Sequence, residues 1–484
     1  MSILREKILS GFLWQGLDRL GSIGTRFVIS IILARLLSPR EFGVIAIMMV
    51  FINLCNVFID SGFSLALIQK KDATEQDCSA VFFINIIMAI ILYLIIYAFA
   101  PTIARFYQNT NIINYLRTLA IVFVIRSFSL VQSTLLSKKM LFKFNFRINV
   151  VAIILSGLAG VALAYMGFGV WSLIFQSLAK AFITGCFLWY FVRWHPIMSF
   201  SWRSLKDLYG FGWKIFISGL LNTLYNNLYS LTIGKLFNLE TLAYYNRGRH
   251  FPRVGMDTLN MVFSSVIFPG FASIQNDRMR MRNVAERGLK SVIFLTTPIL
   301  CCLLVVSKQV VLILLGEKWL PSVPYMQLCC VSFLFYPLHT LNIQIITACG
   351  RSDVFLILEI IKKVQAIIII FITYRFGVMA MVWGMVLSVP FVFIENAWMN
   401  GKLISYSCWQ QLWHILPYFT VGAFSGLVAF AIGYGINNIW CSLFIRSFSF
   451  ALCYLSLIYV CKIFPKELRD ILQNVMHRMR FTNG

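Results

Sequence analysis

Apolar residues dominate this chain in long runs that are separated by short polar segments. Each run holds about 20 residues, the length that an α-helix needs to cross the hydrocarbon core of a bilayer. Fourteen such runs can be delimited, and the segments between them are too short for an inserted soluble domain. Their approximate bounds are 8–37, 41–62, 78–105, 112–136, 146–166, 168–192, 209–236, 241–275, 285–315, 322–348, 353–374, 377–399, 408–434 and 440–462. The pattern predicts an all-α integral membrane protein with about 14 transmembrane helices.

The composition supports the membrane class and argues against a soluble enzyme. Hydrophobic residues make up 59% of the 484 positions and charged residues 12%, whereas about 25% of the residues are charged in an average soluble domain. The 12 cysteines include the adjacent pairs Cys301–Cys302 and Cys329–Cys330 and show no metal-ligand spacing. We interpret them as apolar thiols, and we expect neither a metal nor a cofactor.

The distribution of lysine and arginine predicts which side of the membrane each loop faces. With an even number of spans both termini lie on one side, and the loops alternate between the two sides. The termini and the loops on their side hold 23 cations, whereas the opposite loops hold seven. Because cytoplasmic loops are enriched in Lys and Arg, both termini are expected in the cytoplasm. This topology accounts for the net charge of +24, so no nucleic-acid partner is expected.

A weak internal repeat relates the two halves of the chain. Residues 11–14 (GFLW) match residues 210–213 (GFGW), and residues 66–69 (ALIQ) match residues 272–275 (ASIQ). Six spans separate the copies, so the repeats run parallel and predict two pseudo-symmetric six-helix bundles around a central cavity. The predicted domains are an N-terminal bundle at 1–206, a C-terminal bundle at 207–402, two additional helices at 403–462 and a basic cytoplasmic tail at 463–484, expected to contact anionic membrane lipids.

Charged residues inside the predicted spans are the main functional signal, because each costs at least about 2.5 kcal/mol near the bilayer centre. The cations are Arg19, Arg26, Arg117, Arg126, Lys180, Lys214, Arg247, Arg249, Arg253, Lys362, Lys363 and Arg446. The acids are Asp18, Asp60, Asp257, Glu359 and Glu395. Five acids cannot neutralise twelve cations, so an anionic ligand is expected in the membrane.

A structural interpretation of these charges stays open for each single residue. Arg253 with Asp257, and Glu359 with Lys363, have the i,i+4 spacing of helical ion pairs. Polar residues nevertheless follow one face of spans 1, 7 and 8, as an aqueous cavity requires. The residues that we expect to bind an anion in this cavity are Arg26, Lys180, Lys214, Arg249 and Arg253.

Several short motifs resemble those of a known family. They are residues 37–43 (LSPREFG), 60–62 (DSG), 68–70 (IQK), 243–247 (AYYNR), 268–269 (FP) and 315–321 (LGEKWLP). Over nearly its whole length the chain resembles the bacterial polysaccharide transporters, the Wzx-type lipid-linked oligosaccharide flippases, and most of all their colanic-acid-exporter branch. The resemblance implies membership of the multidrug/oligosaccharidyl-lipid/polysaccharide exporter superfamily.

The resemblance also implies a function, a location and partners. Such flippases lie in the bacterial inner membrane and move an undecaprenyl-diphosphate-linked sugar repeat unit, made by glycosyltransferases, toward a polysaccharide polymerase. Some members are coupled to a proton or sodium gradient. A diphosphate is the anion that the cationic spans lack. We expect Asn222, Tyr225, Asn226 and Tyr229 to contact sugar rings. The candidates for ion coupling are Asp18, Asp257 and Glu359.

Three other functions are less consistent with the sequence. A multidrug cation antiporter of the same superfamily would need an acidic or apolar cavity, whereas cations exceed acids here. A polysaccharide polymerase or glycosyltransferase would need a large outward loop or a carboxylate cluster on a loop, and the outward loops are short. A purely structural scaffold would not need polar faces within its spans. A transporter is therefore expected rather than an enzyme.

Overall fold

The computed structural model describes residues 21–60, 62–70, 72–198, 202–275 and 277–465, apart from some side chains of the tenth and eleventh helices. All regular secondary structure in these ranges is helical. The chain divides into two compact units, the first extending to Ala243 and the second beginning at Tyr244. The predicted boundary between residues 206 and 207 separates the two copies of the internal repeat, and it stays a prediction.

The helices of the first unit are α1 (21–36), α2 (Pro39–Asp60), α3 (Phe63–Gln69), α4 (Glu75–Phe106), α5 (Ile112–Leu119), α6 (Ile121–Ser127), α7 (Leu130–Lys138), α8 (Phe142–Tyr165), α9 (Val170–Val192) and α10 (Trp202–Leu236). Helix α11 (Leu239–Ser273) crosses the boundary between the units. The second unit continues with α12 (Arg278–Val305), α13 (Ser307–Leu314), α14 (Val323–Phe333), α15 (Tyr336–Ala348), α16 (Ser352–Thr373), α17 (Val378–Ile404), α18 (Cys408–Ile432) and α19 (Ile439–Val460). Two 3-10 helices cover Glu317–Ser322 and Tyr374–Phe376.

The all-α membrane architecture predicted from the sequence is confirmed. Each of the fourteen predicted spans contains helix within the described residues. Nine helical segments there are long and apolar enough to cross a membrane, and a tenth forms if Ile112–Ser127 and Leu130–Lys138, bent by 45°, count as one span. Helices α11 and α16 carry several charged residues along their length. The count of fourteen spans stays a prediction.

Apolar and polar side chains are distributed as in a protein surrounded by lipid. Phe371 and Leu427 are 73% and 69% exposed on their helices, whereas Asn342, Asn400 and Gln411 are fully buried. Two hydrogen bonds link the buried amides: Nδ2 of Asn342 donates to Oε1 of Gln411 at 2.9 Å, and Nδ2 of Asn400 donates to Oδ1 of Asn342 at 2.6 Å. Helices that expose apolar faces need hydrocarbon around them and use polar contacts to hold one another.

Two long spans begin at capping boxes that the sequence encodes locally. The Thr74 hydroxyl accepts from the backbone N–H of Asp77, whose carboxylate accepts from the backbone N–H of Thr74. Ser407 and Gln410 make the same reciprocal pair at the start of α18. Each box satisfies two of the N–H groups that a helix start leaves without partners. These contacts fix where α4 and α18 begin.

Gly248, on α11, is required by a close approach of backbones. A Cβ atom at this position would lie 2.7 Å from the carbonyl oxygen of Ser322 and 2.8 Å from the backbone nitrogen of Met326. At Gly255, two turns further along the same helix, a Cβ atom would meet no neighbouring atom within 4 Å. The glycine at 248 therefore lets α11 contact the start of α14.

We expect Gly248→Ala to destabilise the protein and Gly255→Ala to leave it unchanged or slightly stabilised. Forcing a methyl group into contact with a neighbouring backbone typically costs about 1–3 kcal/mol of stability. Where there is room for the methyl group, alanine stabilises a helix relative to glycine by about 1 kcal/mol. The measurement is the thermal unfolding of both purified variants in detergent, monitored by the exposure of buried cysteine thiols. Equal melting temperatures for the two variants would contradict the close approach.

Candidate functional site

A row of polar side chains follows one face of α11. Arg249, Arg253 and Asp257 are spaced one helical turn apart. Nε of Arg253 lies 3.2 Å from Oδ2 of Asp257, and these side chains are 46% and 45% exposed. Nη1 of Arg249 donates to the Tyr245 hydroxyl at 3.4 Å. The ion pair of Arg253 with Asp257, which the i,i+4 spacing suggested, is therefore present. The row holds two arginines but one carboxylate.

Helix α15 contributes a tyrosine to this row. The Tyr336 side chain interacts with both Asp257 and Asn260 of α11. Asp257 therefore faces Arg253 on its own helix and Tyr336 on α15. Its contact with Arg253 gives that guanidinium a preferred direction. The sequence alone did not single out Tyr336, because it lies in an apolar segment far from α11 in the chain.

Three of the intramembrane cations have partners that point to structural roles. Arg247 is 8% exposed, and its guanidinium carbon lies 5.1 Å from the ring centroid of Trp319. Nε of Arg117 donates to the carbonyl oxygen of Tyr97 at 3.2 Å. Arg446 donates to the carbonyl oxygens of two residues, Val305 at 3.3 Å and Gly433 at 3.1 Å. These contacts hold helices together and do not require a ligand.

The first unit holds a second cationic cluster, formed by α1, α6 and α9. Arg26 is exposed on α1, and Lys180 is half-buried on α9. Arg26 and Arg126 both act electrostatically on Lys180. The like charges of Arg26, Arg126 and Lys180 repel one another, and this repulsion is stronger in a poorly hydrated site than in water. An anion bound among them would relieve that repulsion.

Arg126 also lines a cavity of the first unit that holds a small group of polar side chains. Its Nη1 donates to Oδ1 of Asn56 at 3.0 Å, and Asp60 acts on it electrostatically. A cavity of about 330 Å³ is bounded by these three side chains together with apolar residues that include Phe216. Arg126 and Asp60 were counted among the intramembrane charges but not assigned to the site. No spacing rule connects them, because they lie on different helices.

The remaining predicted site residues are only partly brought together. On α10, Asn222 and Asn226 are exposed, and Nδ2 of Asn226 donates to Oδ1 of Asn222 at 3.3 Å. Tyr225 and Tyr229 are half-buried on the same helix. Asp18 and the side chain of Lys214 lie outside the described residues.

Glu359, on α16, pairs with Lys362 rather than with Lys363. Its Oε1 lies 3.0 Å from Nζ of Lys362, and the side chains are 28% and 7% exposed. Both lysines are within helical reach of the carboxylate, at i+3 and i+4. The carboxylate pairs with the lysine that is more deeply buried, because that ammonium has less contact with water and depends more on a charged partner.

Comparison with known families identifies the chain. The polysaccharide biosynthesis protein family matches residues 32–324, which is more than half of the chain. The chain belongs to this family. It is 25% identical over 481 residues to the teichuronic acid biosynthesis protein TuaB of Bacillus subtilis strain 168, covering 98% of this chain and 99% of TuaB. It is 26% identical over 357 residues to the lipopolysaccharide biosynthesis protein WzxC of Escherichia coli K12, covering 72% of each.

The fold of this family member is similar to that of solved transporters. The lipid II flippase MurJ, in an inward closed conformation, superimposes with a TM-score of 0.74 at 14% identity, covering 96% of this chain and 100% of MurJ. A multidrug resistance transporter of the MATE family in the MOP superfamily superimposes with a TM-score of 0.60 at 17% identity, covering 81% and 99%. The family and the transporter fold expected from the short motifs are therefore confirmed.

Proposed function

We propose that this multi-pass membrane protein is a flippase, not an enzyme, for an undecaprenyl-diphosphate-linked oligosaccharide. It moves one repeat unit across the cytoplasmic membrane for capsule, O-antigen or exopolysaccharide synthesis. The proposal rests on the excess of cations over acids in the helices that are expected to cross the membrane. On α11 Arg249 and Arg253 accompany one carboxylate, and in the first unit Arg126 belongs to a cluster of three cations.

The chemistry of a diphosphate fits the row on α11. A guanidinium carries five N–H donors in a planar fork that matches two oxygens of a phosphate. The contact between Arg253 and Asp257 orients one fork, and the Tyr245 hydroxyl positions that of Arg249 one turn away. Two phosphates joined by one bridging oxygen engage both forks at once. Charge-assisted hydrogen bonds of this kind are about twice as strong as neutral ones.

The sugar and the lipid need different surroundings. The exposed amides of Asn222 and Asn226 offer hydrogen bonds to sugar hydroxyls, and the rings of Tyr225 and Tyr229 offer stacking surfaces. The polyprenyl tail stays in the bilayer during transfer. Transport proceeds by alternating access, with glycosyltransferases supplying the substrate inside and a polymerase consuming it outside.

Transport of this kind can be driven by a proton or sodium gradient. Asp257 and Glu359 are the described acids that we assigned to coupling, and each is paired with a cation, Arg253 or Lys362. A carboxylate paired in this way exchanges its partner for a proton or sodium ion as the cycle proceeds. Charged residues within spans commonly serve such relays.

We expect both termini in the cytoplasm of a bacterial inner membrane, and reporter fusions test this orientation. Fusions after residues 72, 142, 204, 280 and 402 should report a cytoplasmic location, and fusions near residues 108, 317 and 437 a periplasmic one. The physical reason is the concentration of Lys and Arg in the first set of loops. A periplasmic signal from a fusion after residue 142 would contradict the fourteen-span topology.

The function is tested by surface polysaccharide in a strain that lacks its own flippase and makes the matching repeat unit. Expression of the full chain should restore the polysaccharide. Accumulation of the lipid-linked repeat unit in the strain without the protein is the control, since it shows that synthesis of the unit is intact. Polysaccharide that stays absent despite normal membrane levels of the protein would contradict the proposal.

A further inference from the structure

Three packed helices of the second unit, α15, α16 and α17, enclose a cluster of titratable side chains. Helix α15 contributes His339, α16 contributes Glu359 and Lys362, and α17 contributes Glu395. Lys362 acts electrostatically on both His339 and Glu395. Helices α15 and α17 belong to segments that are long and apolar enough to cross a membrane, and α16 packs against both. The charge states of these side chains therefore decide how much unfavourable charge the membrane interior holds.

Two members of the cluster have partners that the structure shows. The Lys362 ammonium is paired with the Glu359 carboxylate at 3.0 Å. Nδ1 of His339 lies 2.8 Å from Nδ2 of Asn396, which also donates to the carbonyl oxygen of Val392. In this orientation of the amide, Nδ1 of His339 is a hydrogen-bond acceptor. Among the described residues, Glu395 is the acid of the cluster that has no salt-bridge partner.

The hydrogen bonds of Glu395 are incomplete in a specific way. Nε2 of Gln365 donates to Oε1 of Glu395. Oε2 of Glu395 and Oε1 of Gln365 are both buried, and within the described part of the chain neither has a hydrogen-bond partner. The amide and the carboxyl group thus share one hydrogen bond, and each retains one buried oxygen without a donor. An unsatisfied buried polar atom costs free energy, and a buried unpaired carboxylate costs more.

A single proton involves both of these oxygens in a hydrogen bond. Placed on Oε2 of Glu395, it removes the negative charge and supplies an O–H group. That O–H donates to Oε1 of Gln365, while Nε2 of Gln365 continues to donate to Oε1 of Glu395. The two flat groups then form a cyclic acid–amide pair with two parallel hydrogen bonds. No other member of the cluster is needed to satisfy either oxygen.

We propose that Glu395 and Gln365 form a proton-binding site that the transporter loads and discharges during its cycle. In the described conformation the site is loaded, with Glu395 neutral. On discharge the proton leaves to water, and the Lys362 ammonium stabilises the carboxylate that remains. Lys362 of α16 acts electrostatically on Glu395, and His339 from α15 and Glu359 and Lys363 from α16 in turn act on Lys362. The coupling role rests on the proposed function, whereas proton binding does not.

The proton itself is observable by infrared spectroscopy of the purified full chain in liposomes at neutral pH. A protonated carboxyl group has a C=O stretch that is separate from the amide and carboxylate bands and shifts in deuterium oxide. We expect this band to be lost in Glu395→Gln and kept in Glu286→Gln, a matched control on α12 whose carboxylate pairs with Lys290 outside this cluster. Glutamine at 395 can make the same cyclic pair, so folding should be preserved. A band unchanged in Glu395→Gln would overturn the proposal.

A second variant keeps the proposal testable if Glu395→Gln fails to fold. Gln365→Met removes both the donor and the acceptor of the pair but leaves the carboxyl group in place. The C=O band should then move to higher frequency, as in a carboxyl group without hydrogen bonds. A band at its original frequency would show that Gln365 is not the partner and would overturn the acid–amide pair.

Export measurements separate this inference from the proposed function. In the flippase-deficient strain, Glu395→Gln should make export insensitive to dissipation of the proton gradient, whereas wild-type export should fall. Export that depends on the gradient equally in both proteins would overturn the coupling role. If the wild-type chain shows the carboxyl band but exports no polysaccharide, the proposed function fails while the proton-binding site is supported.

Discussion

Replacing Arg249 and Arg253 together by Gln is expected to abolish polysaccharide export while the protein remains in the membrane. Glutamine keeps much of the length and hydrogen bonding of arginine but removes the charge, so insertion should be normal or easier. Each lost charge-assisted contact is worth about 1.5–3 kcal/mol, which corresponds to roughly ten- to more than a hundredfold weaker binding of the diphosphate at each position. The measurement is surface polysaccharide in the flippase-deficient strain.

Single substitutions and a control sharpen this prediction. Arg253→Lys should rescue export only in part, because an ammonium lacks the bidentate fork. Arg375→Gln is the matched control, since that arginine lies in the Tyr374–Phe376 turn and is exposed. Membrane levels of every variant are checked by immunoblot. Full export by the double Gln variant would show that the two arginines are structural and that the anion binds elsewhere.

Glu359→Gln should cause a much larger loss of stability than the same change in a water-exposed ion pair. The change leaves the Lys362 ammonium, which is 7% exposed, without its carboxylate partner. Removing one partner of a buried ion pair typically costs about 3–5 kcal/mol, because the other charge is left uncompensated. The measurement is the thermal unfolding of the purified protein in detergent.

A double variant and a second, more exposed ion pair serve as controls for this prediction. Glu359→Gln combined with Lys362→Met removes both charges and should recover much of the lost stability, with a coupling free energy that the double-mutant cycle measures. Glu286→Gln breaks the pair of Glu286 with Lys290 and leaves behind an ammonium that is 33% exposed. That substitution should cost about 0–1 kcal/mol, as for pairs in contact with water. Equal losses for Glu359→Gln and Glu286→Gln would contradict the importance of burial.

The positions of the helices were predictable because long apolar runs are a strong and local signal. The interruptions inside them were not. The predicted span 112–136 is divided into α5, α6 and α7, and the predicted span 322–348 into α14 and α15. Neither break follows from an apolar pattern, which continues through both. The second break lies just before Pro337, which stands in the first turn of α15 and has no backbone N–H to donate, whereas the segment 112–136 contains no proline. The contact that requires a glycine at 248 depends on packing between helices.

The candidate site was predictable where one helix carries it and not where several helices meet. The row from Arg249 to Asp257 follows directly from helical spacing on α11. The choice of Lys362 as the partner of Glu359 does not, since i+3 and i+4 both permit a pair and burial decides between them. The pair of Gln365 with Glu395 joins two helices through residues that are 30 positions apart. No rule of local spacing connects such positions.

The central claim is that this chain moves a diphosphate-linked oligosaccharide across a bilayer. The most direct measurement places the purified protein in proteoliposomes with an undecaprenyl-diphosphate-linked oligosaccharide confined to the inner leaflet. The glycan that reaches the outer leaflet is then cleaved by an added glycosidase. We expect the wild-type protein to expose the glycan to the enzyme, and the Arg249→Gln, Arg253→Gln double variant not to do so. Exposure at the rate of protein-free liposomes would contradict the central claim.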